Sequence, residues 1–104
     1  MPEDPLDATI RRAIGGDQDA IGAVLAGATT SDDARIVALG AVLASRPDWI
    51  ARAQALAVTS RDRQVVAISA SHLSGDHGLV KLLARDHLCD HPDSLIVAWI
   101  AAIS

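Results

Sequence analysis

The chain repeats at a spacing of 29 residues. Ile21, Ile50 and Leu79 share one column, Thr30-Ser31 falls on Thr59-Ser60, and Val37-Ala38-Leu39 falls on Val66-Ala67-Ile68. Asp4, Asp33 and Asp62 form another column. Asp93 rejoins it at an offset of 31, which places an insertion of two residues near 89–92. A fixed period of this length marks one supersecondary unit used several times. Such a unit cannot bury its own apolar face, and its neighbours supply the cover.

The unit is helical. Half of the 104 residues are hydrophobic, yet only 2% are aromatic, so the apolar mass is Ala, Leu, Ile and Val. Small side chains let helices approach closely, and Ala is the best helix former. The pattern predicts seven helices in a single domain, 1–104. A helices cover 5–15, 33–45, 62–74 and 93–103, and B helices cover 18–28, 48–58 and 77–88. Three A–B pairs are complete and a fourth A helix stands alone. The recurring Asp4, Asp33, Asp62 and Asp93 sit where each A helix begins, where a carboxylate accepts from free N–H groups and favours the positive end of the helix dipole. Asp17, Pro47-Asp48 and Asp76 open the B helices. Gly15-Gly16, Ser45 and Ser74-Gly75 supply the A-to-B turns.

Asp33-Ala34-Arg35-Ile36-Val37-Ala38-Leu39-Gly40 resembles the D-x-x-V-R-x-x-A-x-x-x-L-G pattern of short HEAT-like repeats, the type of about 30 residues also called phycobilisome-lyase HEAT repeats. Arg63-Gln64-Val65-Val66-Ala67-Ile68 and Leu95-Ile96-Val97-Ala98 are looser versions. The resemblance implies an all-α, right-handed solenoid of helix pairs that serves as a protein-binding scaffold. One HEAT-like hydroxylase family carries iron on His-Glu dipeptides. This chain has no His-Glu dipeptide, so that activity is not implied and no cofactor is expected.

Charge and targeting signals narrow the function. The net charge of −4 argues against a general nucleic-acid binder, which needs a basic stripe against phosphate. A single Cys excludes an internal disulfide. The start Met1-Pro2-Glu3-Asp4-Pro5 lacks the basic and apolar regions of a signal peptide, and the apolar run 95–103 is too short to span a bilayer. Cytoplasmic location is expected. One Lys beside eight Arg points to GC-rich, bacterial coding. No Ser-His-Asp spacing, Gly-rich phosphate loop or carboxylate pair stands out, so an enzyme is the weaker expectation.

Three surfaces remain as candidates. Trp49, Arg52 and Leu56 share one helical face, and the repeat columns set Lys81 beside Arg52 and Arg85 beside Leu56. Together they form a candidate groove for a protein or peptide partner; the plainer alternative is a Trp packed at a repeat seam with solvated cations. His87, Cys89 and His91 carry metal-competent donors, against a plainer reading as a helix C-terminus. The last A helix, with Leu95, Ile96, Trp99, Ile100 and Ile103, is almost wholly apolar and is the candidate self-association surface, covered by a second copy in a homodimer or by a different protein, against the plainer alternative of a longer protein cut at this point. His72 takes the column of Ile14, Leu43 and Ile103. A core histidine satisfied by Ser69 or Ser71 is expected there.

Overall fold

The computed structural model describes residues 5–104. The Asp4 start of the first A helix lies outside the described residues. Seven α-helices follow in order: α1 Pro5–Ile14, α2 Gln18–Ala28, α3 Ala34–Ala44, α4 Ile50–Leu56, α5 Ser60–Leu73, α6 His77–Asp90 and α7 Leu95–Ile103. A single 3-10 turn, Pro47–Trp49, leads into α4. No described helix is long and apolar enough to cross a membrane.

The repeating aspartates do different jobs. Asp33 caps α3 by accepting from the Arg35 N–H at 2.9 Å, and Asp17 and Asp76 cap α2 and α6. Asp62 does not cap α5: the Thr59 hydroxyl accepts from the Asp62 N–H, so the helix starts two residues earlier than its column predicts. Asp93 does not cap α7 either. Ser94 holds the N-cap position, without a side-chain cap bond, and the Asp93 carboxylate pairs with Arg61 at 3.4 Å. The second B helix is shorter than expected. Pro47 and Asp48 form the 3-10 turn, where Asp48 is held by Arg46 at 2.8 Å, and α4 ends at Leu56. The A-to-B turns use left-handed backbone at Gly16 and Gly75, and also at Ser45, whose φ of 53° is uncommon for a residue with a Cβ.

Helix α3 is the centre of the molecule. Every residue from Ile36 to Val42 is buried, as a helix must be when it is covered on all sides by α2, α4 and α5. The repeat columns predict these burials. Ile36, Val37 and Leu39 correspond to Val65, Val66 and Ile68, and all six are buried. At the offset of 31, Ile96, Val97 and Ile100 of α7 match Val65, Val66 and Ser69, and these too are buried. Helices α3, α5 and α7 therefore share one buried face.

The ends of the set meet. Helix α7 packs against α6, α5 and also α1. In an open row of helix pairs the first and last A helices lie three layers apart, at 8–10 Å per layer. Here the first turns of all four A helices gather round one cavity of about 280 Å³, lined by Asp7, Ile10, Arg11, Arg35, Arg61 and Leu95 among others. The radius of gyration, 12.4 Å, is that of a compact globule of this length.

Candidate interaction surface

The groove expected from Trp49, Arg52, Leu56, Lys81 and Arg85 is divided between two environments. Trp49 is half-buried and lies over α3; a Cβ on Gly40 would stand 3.6 Å from its ring. The Arg46 guanidinium sits 5.0 Å from the centre of that ring, within cation–π range. Arg52 donates from Nη1 to the Ala28 carbonyl at 3.0 Å, placing a cation at the negative end of α2. Leu56 is half-buried against the core. These three residues tie α4 to its neighbours. Lys81 and Arg85 are exposed on α6 and form no ion pair among the described residues.

Around those two cations lies a surface that the spacing argument missed. At 100° per residue, Leu79 and Leu82 form an outward row on α6. Lys81 and Arg85 follow one flank of it, and Asp86 and Asp90 continue the row toward the C-terminus of α6. Leu79 is 39% exposed and Leu82 50%. Leu79 shares its column with Ile21 and Ile50. Ile50 is buried and Leu79 is not, because α6 packs on α5 and α7 and has no further B helix beyond it among the described residues. An apolar column residue in the last B helix was the available signal.

Beside this row, α5 and α6 enclose a cavity of about 230 Å³ lined by Gln64, Ala67, Ile68, Leu83, Asp86, His87 and Asp90. Its floor is apolar and its rim acidic. His87 is 2% exposed. Its Nδ1 lies 2.6 Å from Gln64 Oε1, an acceptor, so Nδ1 carries the proton and donates. Nε2 is buried and has no partner. Burial first, then the neighbouring His91 and Arg61, lowers the His87 pKa from 6.5, opposed by Asp90 and Asp93. The His87 and His91 rings stand 4.9 Å apart, and Cys89 is exposed. No group of three His, Cys, Asp or Glu side chains able to hold a metal forms among the described residues.

His72 finds a different partner from the one expected. Ser69 and Ser71 donate back to the Val65 and Ala67 carbonyls of their own helix. His72 Nδ1 instead lies 2.7 Å from the Ser104 hydroxyl, which itself donates to the Ile100 carbonyl. The hydroxyl proton is thus committed, and Nδ1 is the donor to Ser104. The column of Ile14, Leu43, His72 and Ile103 is a rim rather than a core position: the first three are half-buried and Ile103 is exposed.

Helix α7 is less open than its composition implies. Ile96 and Ile100 are in the core at 3% and 0% exposure, and Leu95 and Trp99 pack partly against it. Contact with α1, absent from an open row, provides part of that cover. Ile103, at 47% exposure, remains outside with Ala98 and Ala102.

At the cavity where the A helices begin, charge is largely compensated. Arg35 bonds Asp33 and Asp7, each at 3.3 Å, and Arg61 bonds Asp93. Burial works against the Arg35 charge, but its bond to Asp33 and the Asp33, Asp7 and Asp62 carboxylates outweigh burial and raise its pKa. Comparison with family models, curated proteins and solved structures finds no match.

Proposed function

We propose that this chain is a non-catalytic interaction module whose docking surface is the outer face of α6 with the adjoining α5–α6 cavity. The observation that carries the reading is the exposed Leu79–Leu82 row flanked by Lys81 and Arg85, which spend their charge on no neighbour among the described residues. Most other basic side chains here are engaged: Arg35, Arg46, Arg52 and Arg61 each lie within 4.0 Å of an Asp carboxylate. A protein or peptide segment with apolar side chains and a carboxylate-bearing edge satisfies this face. The cavity beside it has room for one inserted side chain.

The same reading places the chain among HEAT-like arrays as a variant curled on itself. The sequential pairing of α1 with α2, α3 with α4 and α5 with α6 supports this, as does packing of α3 on α5 and α5 on α7. Self-association is a second reading, favoured by Ile103 at the exposed edge of α7.

The test is a double variant, Leu82→Asp with Arg85→Glu. Both positions are exposed, so helicity and thermal midpoint should hold. Partners that co-purify with the parent should be lost. An undiminished set of partners on the folded variant removes the α6 surface from the reading. For self-association, Ile103→Asp should reduce the mass measured by light scattering at high concentration. A parent that stays monomeric at all concentrations ends that proposal.

A further inference from the structure

The four histidines of the chain form two pairs, one at each end of α6. At its start, the ring of His77, the first residue of α6, lies 6.1 Å from that of His72, near the end of α5. At its end, the His87 and His91 rings lie 4.9 Å apart. The inner member of each pair makes the cross-link. His72 joins α5 to Ser104, just past α7, and His87 joins α6 to Gln64 of α5. We propose that α6 is an acid-releasable helix, clamped against α5 by the neutral imidazole of His87, beside an α5–α7 tie through the neutral imidazole of His72, and loosened when these rings take up protons.

The neutral state is dictated by geometry. His87 uses its one N–H on Gln64, and Nε2 is sealed from solvent with no donor or acceptor in reach. A proton there adds a charge and an N–H without an acceptor to the protein interior. His72 keeps its bond to Ser104 on protonation, but the new charge stands partly buried beside the His77 ring. Several charged or polar groups face the clamps. From α5 come Arg61 and Gln64, from α6 Asp86, Asp90 and the C-cap His91, and from the α6–α7 connection Asp93. The carboxylates favour a charged His87 and Arg61 opposes it; burial decides the balance toward the neutral ring.

The sign follows. Burial, and then His77, lowers the folded pKa of His72, and that of His87 is lowered as well, both from 6.5. The opened state therefore binds more protons in the window from 6.5 down to the folded values. Stability from these groups is complete above 6.5 and lost as pH falls through that window, at up to about tenfold in the opening constant per pH unit for each group. If α6 is also the docking surface, acid releases the partner. That consequence rests on the proposed function; the helix release does not.

The experiment is amide hydrogen exchange on the full chain, without partner, from neutral pH to below the window, corrected for intrinsic exchange. Opening of α6 should increase as pH falls through the window, by up to about tenfold per pH unit for each ring, and by more than that of α3. The double variant His72→Gln with His87→Gln should lose the pH dependence, whatever its absolute stability. If that variant does not fold, the imidazole resonances of the parent decide: His72 and His87 must titrate below 6.5. An unchanged acid slope in a folded variant, α6 and α3 loosening in step, or ordinary titration of both rings would overturn the proposal.

Discussion

Substituting Gly40 by alanine adds one methyl group where α2 and α3 have no room for it. The new Cβ would stand 2.5 Å from the Ala28 Cβ, 3.6 Å from the Trp49 ring and 3.7 Å from the Val24 carbonyl oxygen. Carbon atoms in contact sit at roughly 3.5–4.0 Å, so the helices must part by about 1 Å, and a gap of that size forfeits roughly a quarter to a half of each contact's attraction. Overpacking of this kind costs about 1–3 kcal/mol. Alanine returns at most ~1 kcal/mol of helix propensity. An approach as close as 2.5 Å puts the cost in the upper half of that range, so the net loss is about 1–2 kcal/mol, or roughly 4–15 °C in thermal midpoint for a domain of this size. Far-UV circular dichroism reads the midpoint, and Trp49 fluorescence reports the displaced ring. Combining Gly40→Ala with Ala28→Gly removes the opposing methyl, so the double variant should exceed the sum of the singles by about 1–2 kcal/mol. A Gly40→Ala protein as stable as its parent, or strict additivity, refutes the close-approach argument.

Three further outcomes test the fold. Ile100→Ala should cost about 2–5 kcal/mol because its side chain is fully enclosed, whereas Ile103→Ala should change stability by less than about 0.5 kcal/mol. Equal effects at the two positions would contradict the packing of α7. Asp33→Ala should cost about 1 kcal/mol through loss of the α3 cap, measured by urea unfolding; no loss would show that the cap bond is idle. Ser45→Gly should raise the thermal midpoint by a few degrees, since glycine relieves the left-handed backbone. A lowered midpoint would locate the value of Ser45 elsewhere.

The period made the helices and their buried faces legible. The column of Val37 is apolar in every unit, and in the three later units, at Val37, Val66 and Val97, it lies inside. Closure was not legible. A period reports distance along the chain, whereas the turn from one unit to the next depends on contacts such as Gly40 against Ala28, which only coordinates reveal. The same limit split the expected groove. Columns place Arg52 and Lys81 at equivalent points, but equivalence does not reveal that Arg52 is drawn to the end of α2 while Lys81 faces solvent. The His87–Gln64 link was hidden for a simpler reason. Its partners are 23 residues apart, less than one period, and no column pairs them.

The contact between α1 and α7 carries a consequence for how such a molecule can grow. A stack is lengthened by copying its unit, because each copy adds the surface on which the next one rests. Where the first and last A helices meet, the A layer has no such vacant surface. One more helix pair inserted between α5 and α7 would have to prise α7 from α1 and leave both apolar flanks wet. Duplication of the 29-residue unit, harmless in an open array, should here yield a strained or dimer-forming chain. Adding a unit to such a set should therefore cost the contact between α1 and α7.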